Sequence, residues 1–121
     1  MDAQQAFTQF VQRCLSPEKA RRFIELCASK KGQRRVLEGL YHEFEPAVRS
    51  DVARRGGYDK HWASECFVFH ESLGFGVKFA SVREAYDQLS LKDGWLILLG
   101  DASAGIHRPE APRWDHEKLI G

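Results

Sequence analysis

Cys66-Phe67-Val68-Phe69-His70, Gly76-Val77-Lys78-Phe79 and Trp95-Leu96-Ile97-Leu98-Leu99 are short runs rich in aromatic and β-branched residues. Upstream of them the apolar positions recur every three or four residues; here the period drops to about two, which marks strands. The first two runs are joined through Glu71 to Phe75, where a glycine allows a hairpin or bulge. Ser81 followed by Glu84 is a capping-box signature, and Val82, Ala85, Tyr86 and Leu89 give the next helix one apolar side. Lys92-Asp93-Gly94 reads as a turn. Trp95 to Leu99 is apolar throughout, as expected of a strand buried on both faces. Gly100-Asp101 then turns the chain into another strand near Ala102 to His107. Pro109 and Pro112 predict an irregular tail from about residue 108, with Trp114 pinned to the body.

Working back toward the N-terminus, Ala6, Phe7, Phe10, Val11 and Cys14 predict a first helix over 3–15. Ser16-Pro17 stops it and starts a second, whose apolar face is Ala20, Phe23, Ile24, Cys27 and Ala28, with Gly32 as its natural end. From Gln33, the positions Val36, Leu37, Leu40, Tyr41 and Phe44 predict a third helix that Pro46 ends. A fourth, short helix is expected over 46–55, followed by a loop over 58–62. The order ααα(α)ββαββ predicts an α+β fold in one domain, with three to four N-terminal helices packed on a small, mainly antiparallel sheet. The helical half spans 1–57 and the ββαββ half 58–121. A parallel βαβ crossover in the second half is the alternative.

With 121 residues, 43% hydrophobic and 29% charged, the chain has the size and composition of one globular domain. No apolar run approaches the roughly 18 residues that span a bilayer, so no membrane partner is expected. The N-terminus lacks the basic-then-apolar layout of a secretory signal, which predicts a cytoplasmic protein. Cys14, Cys27 and Cys66 are odd in number and widely spaced, the pattern of reduced core thiols.

Charge gives the sharpest functional clue. Between Arg13 and Arg35 lie eight basic residues against two acids, a local +6 in a chain whose net charge is +1. Lys19 and Arg22 face away from the apolar stripe of the second helix, and Lys30, Lys31, Arg34 and Arg35 flank Gly32. Unpaired N–H groups at the start of the third helix, near Gln33, would add to an anion or partner footprint. A solvated face paired with Glu18, Glu25 and Glu38 is the plainer expectation for such a run. Tyr58, Trp62, Phe75 and Trp114 fall in predicted loops or the tail, and together would make an aromatic patch for a protein partner or homodimer. Nucleic acid is a less favoured partner, because the near-neutral total charge and the lack of surface aromatics among the cations argue against it.

Three further groups bear on chemistry. His61, Glu65, Cys66 and His70 are metal-ligand or acid-base types, but on a strand Glu65 points away from Cys66 and His70, and the spacing fits no zinc pattern. Asp115-His116-Glu117, with His107 and Asp101 upstream, could orient a histidine, although neighbours in an extended tail diverge. Asp101-Ala102-Ser103-Ala104-Gly105 resembles a nucleophile elbow without its first glycine and reads as a hairpin. His42 is expected to cap the end of the third helix. No catalytic residue, metal or cofactor is expected. The function predicted is a binding or regulatory domain, ahead of a nucleic-acid-binding protein and of a small hydrolase or metal-dependent enzyme using His61, Cys66 and His70.

Overall fold

A computed structural model describes residues 1–121. Helix α1 (Ala3–Cys14) starts at a reciprocal capping box: the Asp2 carboxylate accepts from the Gln5 amide at 2.8 Å, and Gln5 Oε1 accepts from the Asp2 amide at 2.9 Å. Helix α2 (Pro17–Leu26) carries Pro17 at its first position, as the sequence predicts. It ends six residues before Gly32. Ser29 caps a new helix, α3 (Lys30–Gly39), by accepting from the Gly32 amide at 3.0 Å.

Gly32 is therefore not a terminator but a packing residue. A Cβ there would sit 1.7 Å from the carbonyl oxygen of Leu26, so only glycine lets the first turn of α3 close against the end of α2. Gly32→Ala is expected to cost about 2 kcal/mol by overpacking, read as a lower urea midpoint at unchanged slope. An unchanged midpoint would show that the corner opens freely.

The third and fourth helices also differ from expectation. α3 stops at Gly39, and the one-turn helix α4 (Phe44–Ala47) holds Pro46 in its first turn, where a missing N–H is harmless. Val48 is then extended and bridges Leu15, while Arg49 N–H donates to the Cys14 carbonyl at 2.9 Å. This pairing across the α1–α2 corner prevents a helix over 46–55. A 3-10 turn (Ser50–Val52) and the two-residue strand β1 (Ala53–Arg54) follow, and the predicted loop contains a 3-10 turn at Asp59–His61.

The remaining elements are β2 (Cys66–His70), β3 (Gly74–Phe79), α5 (Val82–Leu89), β4 (Trp95–Leu99), β5 (Gly105–Arg108) and β6 (Lys118–Ile120). The fold is α+β, with one six-stranded sheet of order β1-β6-β5-β4-β2-β3 in which every hydrogen-bonded pair is antiparallel. Because β3 and β4 both run antiparallel to β2, they are parallel to each other, and α5 makes a crossover that spans β2. The tail is not irregular. Pro109 and Pro112 stay in a loop, a 3-10 turn follows at Arg113–His116, and β6 enters the sheet between β1 and β5, with Leu119 opposite Ile106.

Helices α1 to α4 cover one face of the sheet, where Phe7, Phe10, Phe23 and Phe44 meet Phe67, Phe69, Leu96 and Leu98. α5 and the chain around Tyr58 and Trp62 cover the other, packing on Val68, Trp95, Ile97, Ile106 and Leu119. Burial on both faces explains why β2 and β4 have all five side chains out of solvent. No helix is long and apolar enough to cross a membrane.

Candidate functional site

The third helix buries Gly32, Val36, Leu37 and Gly39. At 3.6 residues per turn, Lys30, Arg34, Lys31 and Arg35 then fall within an arc of about 140° on the opposite side. All four are exposed, and none has a carboxylate within 4.0 Å; the ion pairs of the protein lie elsewhere. Glu38 on the same helix forms no ion pair with them within 4.0 Å, although it lines the same cleft as Lys30 and Arg34. Lys30 and Arg34 form one wall of a cleft of about 390 Å³, with Glu71 and Phe75 on the other.

The six cations singled out in the sequence form two groups. Lys19 and Arg22 line a separate cleft with His42 and Glu43, and Arg22 lies 3.8 Å from the Glu43 carboxylate. Nor does α3 offer amides at Gln33, because it starts three residues earlier than expected. The Gln33 N–H donates to the Ser29 carbonyl at 2.8 Å, and the Gly32 N–H is taken by the Ser29 hydroxyl. What the geometry presents is a ridge of side-chain charge.

The four aromatics do not share a surface. Phe75 belongs to the helix-covered face, 5.5 Å from Phe7 and 4.9 Å from Phe69 between ring centroids. Beneath α5, Trp62 packs edge-to-face on both Tyr58 and Tyr86, and Tyr58 lies tilted against Tyr86. Burial and the nearby Glu117 carboxylate push the Tyr58 hydroxyl well above its usual range. Trp114 alone is well exposed, and it lies over the Arg108 guanidinium.

His61, Glu65, Cys66 and His70 disperse as well. His70 is fixed in the core, its Nδ1 2.7 Å from the Ser72 hydroxyl and its Nε2 3.1 Å from the Asp93 carbonyl. Burial lowers its pKa and pushes the Cys66 thiol up to about 12, so Cys66 stays a protonated core residue. His61 sits in its 3-10 turn and Glu65 pairs with Lys78 at 3.9 Å. No three His, Cys, Asp or Glu side chains are placed to hold a metal ion. Asp101 accepts from the Ser103 amide and hydroxyl at 2.9 and 2.6 Å, bonds that hold its carboxyl below the usual range and tie Ser103 into the β4–β5 hairpin. His42 lies beyond the end of α3, 3.9 Å from Glu110.

In the tail, His116 does have a carboxylate partner, but it is neither neighbour. Glu45 of α4, 71 residues away, meets His116 Nδ1 at 2.8 Å and Arg113 at 2.8 Å, while Glu117 turns inward to Arg108. No spacing in the sequence marks Glu45, since only the docking of α4 beside the last 3-10 turn joins it to His116. Neither a protein-family model nor a curated protein nor a solved structure matches this chain.

Proposed function

We propose that this chain is a non-enzymatic binding domain, and that the α3 ridge of Lys30, Lys31, Arg34 and Arg35 docks a protein partner with an acidic surface. The observation that carries this is the set of four exposed cations on one helix face with no carboxylate within 4.0 Å. Charge held that way steers association and selects partners. A like-charged ridge repels a second copy of itself, which favours a different chain over a homodimer through this face. A net charge of +1 and only one aromatic in the adjoining cleft, the half-buried Phe75, place nucleic acid second. Three free, buried cysteines suit a reducing cytoplasm.

The test is fluorescence anisotropy with a labelled polyglutamate peptide and a labelled DNA duplex, each over a series of salt concentrations. The peptide is expected to bind, to weaken as salt rises, and to bind at least about tenfold more weakly to Lys30→Glu with Arg34→Glu. Circular dichroism confirms that the variant is folded. Tighter binding of the duplex with a steeper salt slope would replace this reading by a nucleic-acid one, and equal peptide binding by the variant would end it.

A further inference from the structure

On the far side of the helical face, where α4 and β1 meet β5 and β6, lies a pocket of about 270 Å³. His107 is at its base, only 2% exposed. The ring packs on Phe44 at 4.9 Å, and Nε2 is 2.7 Å from the Leu40 carbonyl. A carbonyl only accepts, so Nε2 carries the proton and Nδ1 presents a lone pair. Nδ1 has no protein partner, yet no fully buried side-chain nitrogen or oxygen is unpaired. The lone pair therefore opens into the pocket that His107 lines, as a hydrogen-bond acceptor.

The rim supplies the opposite chemistry. Its one carboxylate, Glu45, is already satisfied by Arg113 and His116, each at 2.8 Å. Lys118, which also lines the pocket, has no carboxylate within 4.0 Å, and Ser50 adds a hydroxyl. With Glu45 offset by Arg113, the rim is left positive. Val48, Ala53 and Ile120 form the apolar wall between. The volume is below the roughly 300–1,000 Å³ of sites that take drug-sized molecules, so the occupant is small.

We infer that this pocket binds a short hydroxycarboxylate, with the hydroxyl donating to His107 Nδ1, the hydrocarbon on Val48, Ala53 and Ile120, and the carboxylate held by Lys118 and Ser50. The site is separate from the α3 ridge, and neither depends on the other. A buried acceptor that loses its donor discriminates strongly against analogues lacking the hydroxyl, and the unpaired lysine does the same for the charge.

The experiment is an NMR titration of the wild-type protein with 3-hydroxybutyrate, butyrate and butan-2-ol, following the Ala53 and Ile120 methyls and the His107 ring. The hydroxyacid is expected to give saturable shifts at these groups, with butyrate and butan-2-ol at least about tenfold weaker. Lys118→Gln, which removes the charge of the half-buried lysine at the start of β6, should weaken the hydroxyacid by a similar factor. The inference is overturned if the three compounds bind alike, if none gives saturable shifts in the pocket at tens of millimolar, or if folded Lys118→Gln binds as wild type does.

Discussion

Truncating Arg108 to alanine is expected to remove about 3–5 kcal/mol of stability, the cost of breaking a buried ion pair from one side. Arg108 is on the α5 face of β5, its side chain 10% exposed, and Nε donates to Glu117 at 2.8 Å. Nη1 donates to the carbonyls of Ser90 at 2.6 Å and Lys92 at 3.1 Å, tying the end of α5 to the sheet. The guanidinium also lies between Trp95 and Trp114, 5.3 and 4.9 Å from their ring centroids. Its removal strands a carboxylate that is itself 11% exposed and whose other oxygen accepts from the Tyr86 hydroxyl at 2.9 Å. Arg108→Lys should recover little, since an ammonium cannot reproduce the planar fork or the stacking. Arg108→Met with Glu117→Leu should lose less than Arg108→Ala alone, because no charge is then left unpaired. Urea unfolding monitored by tryptophan fluorescence measures all three. A loss under about 1 kcal/mol for Arg108→Ala would mean that the pair behaves as a surface one, worth little.

The contrast between Arg108 and the α3 cations shows what sequence patterning can carry. A charge run beside clear apolar stripes points outward, so the exposure of Lys30, Lys31, Arg34 and Arg35 could be read from the sequence, but their sharing one helix could not, because Gly32 reads there as the break between two. Arg108 sits after Gly105-Ile106-His107 with nothing nearby to announce a partner; Glu117 reaches it only because β6 inserts beside β5. The helices α1, α2 and α5 and the strands β2 and β4 were legible because each has a cap or an apolar run long enough to show a period. The strands β1 and β6, of two and three residues, are too short to show one, and the prolines before β6 argued for loop. Gly32 was misread because glycine after an apolar stripe is the usual stop signal, whereas here it marks a close approach to Leu26. Ser29 was the overlooked cue, a capping residue three positions before it. The pocket at His107 was illegible for the same reason as the Arg108 pair: its members come from α4, β1, β5, β6 and the loops that flank them, and only the strand order brings them together.

Lowering the pH from 7 to 4 is expected to cost the protein about 3 kcal/mol through His107 alone. Burial is the dominant cause that takes this imidazole from 6.5 down to about 4; the bond to Leu40 and the charge of Glu45 act weakly the other way, and Lys118 acts with burial. Above pH 6.5 the ring is neutral folded or unfolded, and its contribution is fully present. Between 6.5 and about 4 the unfolded chain takes up a proton that the folded one refuses, so stability falls as pH falls. The difference between those two values, at 1.36 kcal/mol per pH unit, sets the size of the loss. His70, lowered mainly by its burial, adds in the same direction as the pH falls below 6.5. Asp101 differs: its hydrogen bonds from Ser103 lower it from 3.8, so its contribution is lost only at still lower pH. Urea unfolding at several pH values between 7 and 4 gives the total, and the NMR titration of the His107 ring assigns its share. A ring that titrates near 6.5, or a stability that is flat over this range, would contradict the assignment. It would mean that the imidazole is solvated rather than enclosed between Phe44 and the sheet.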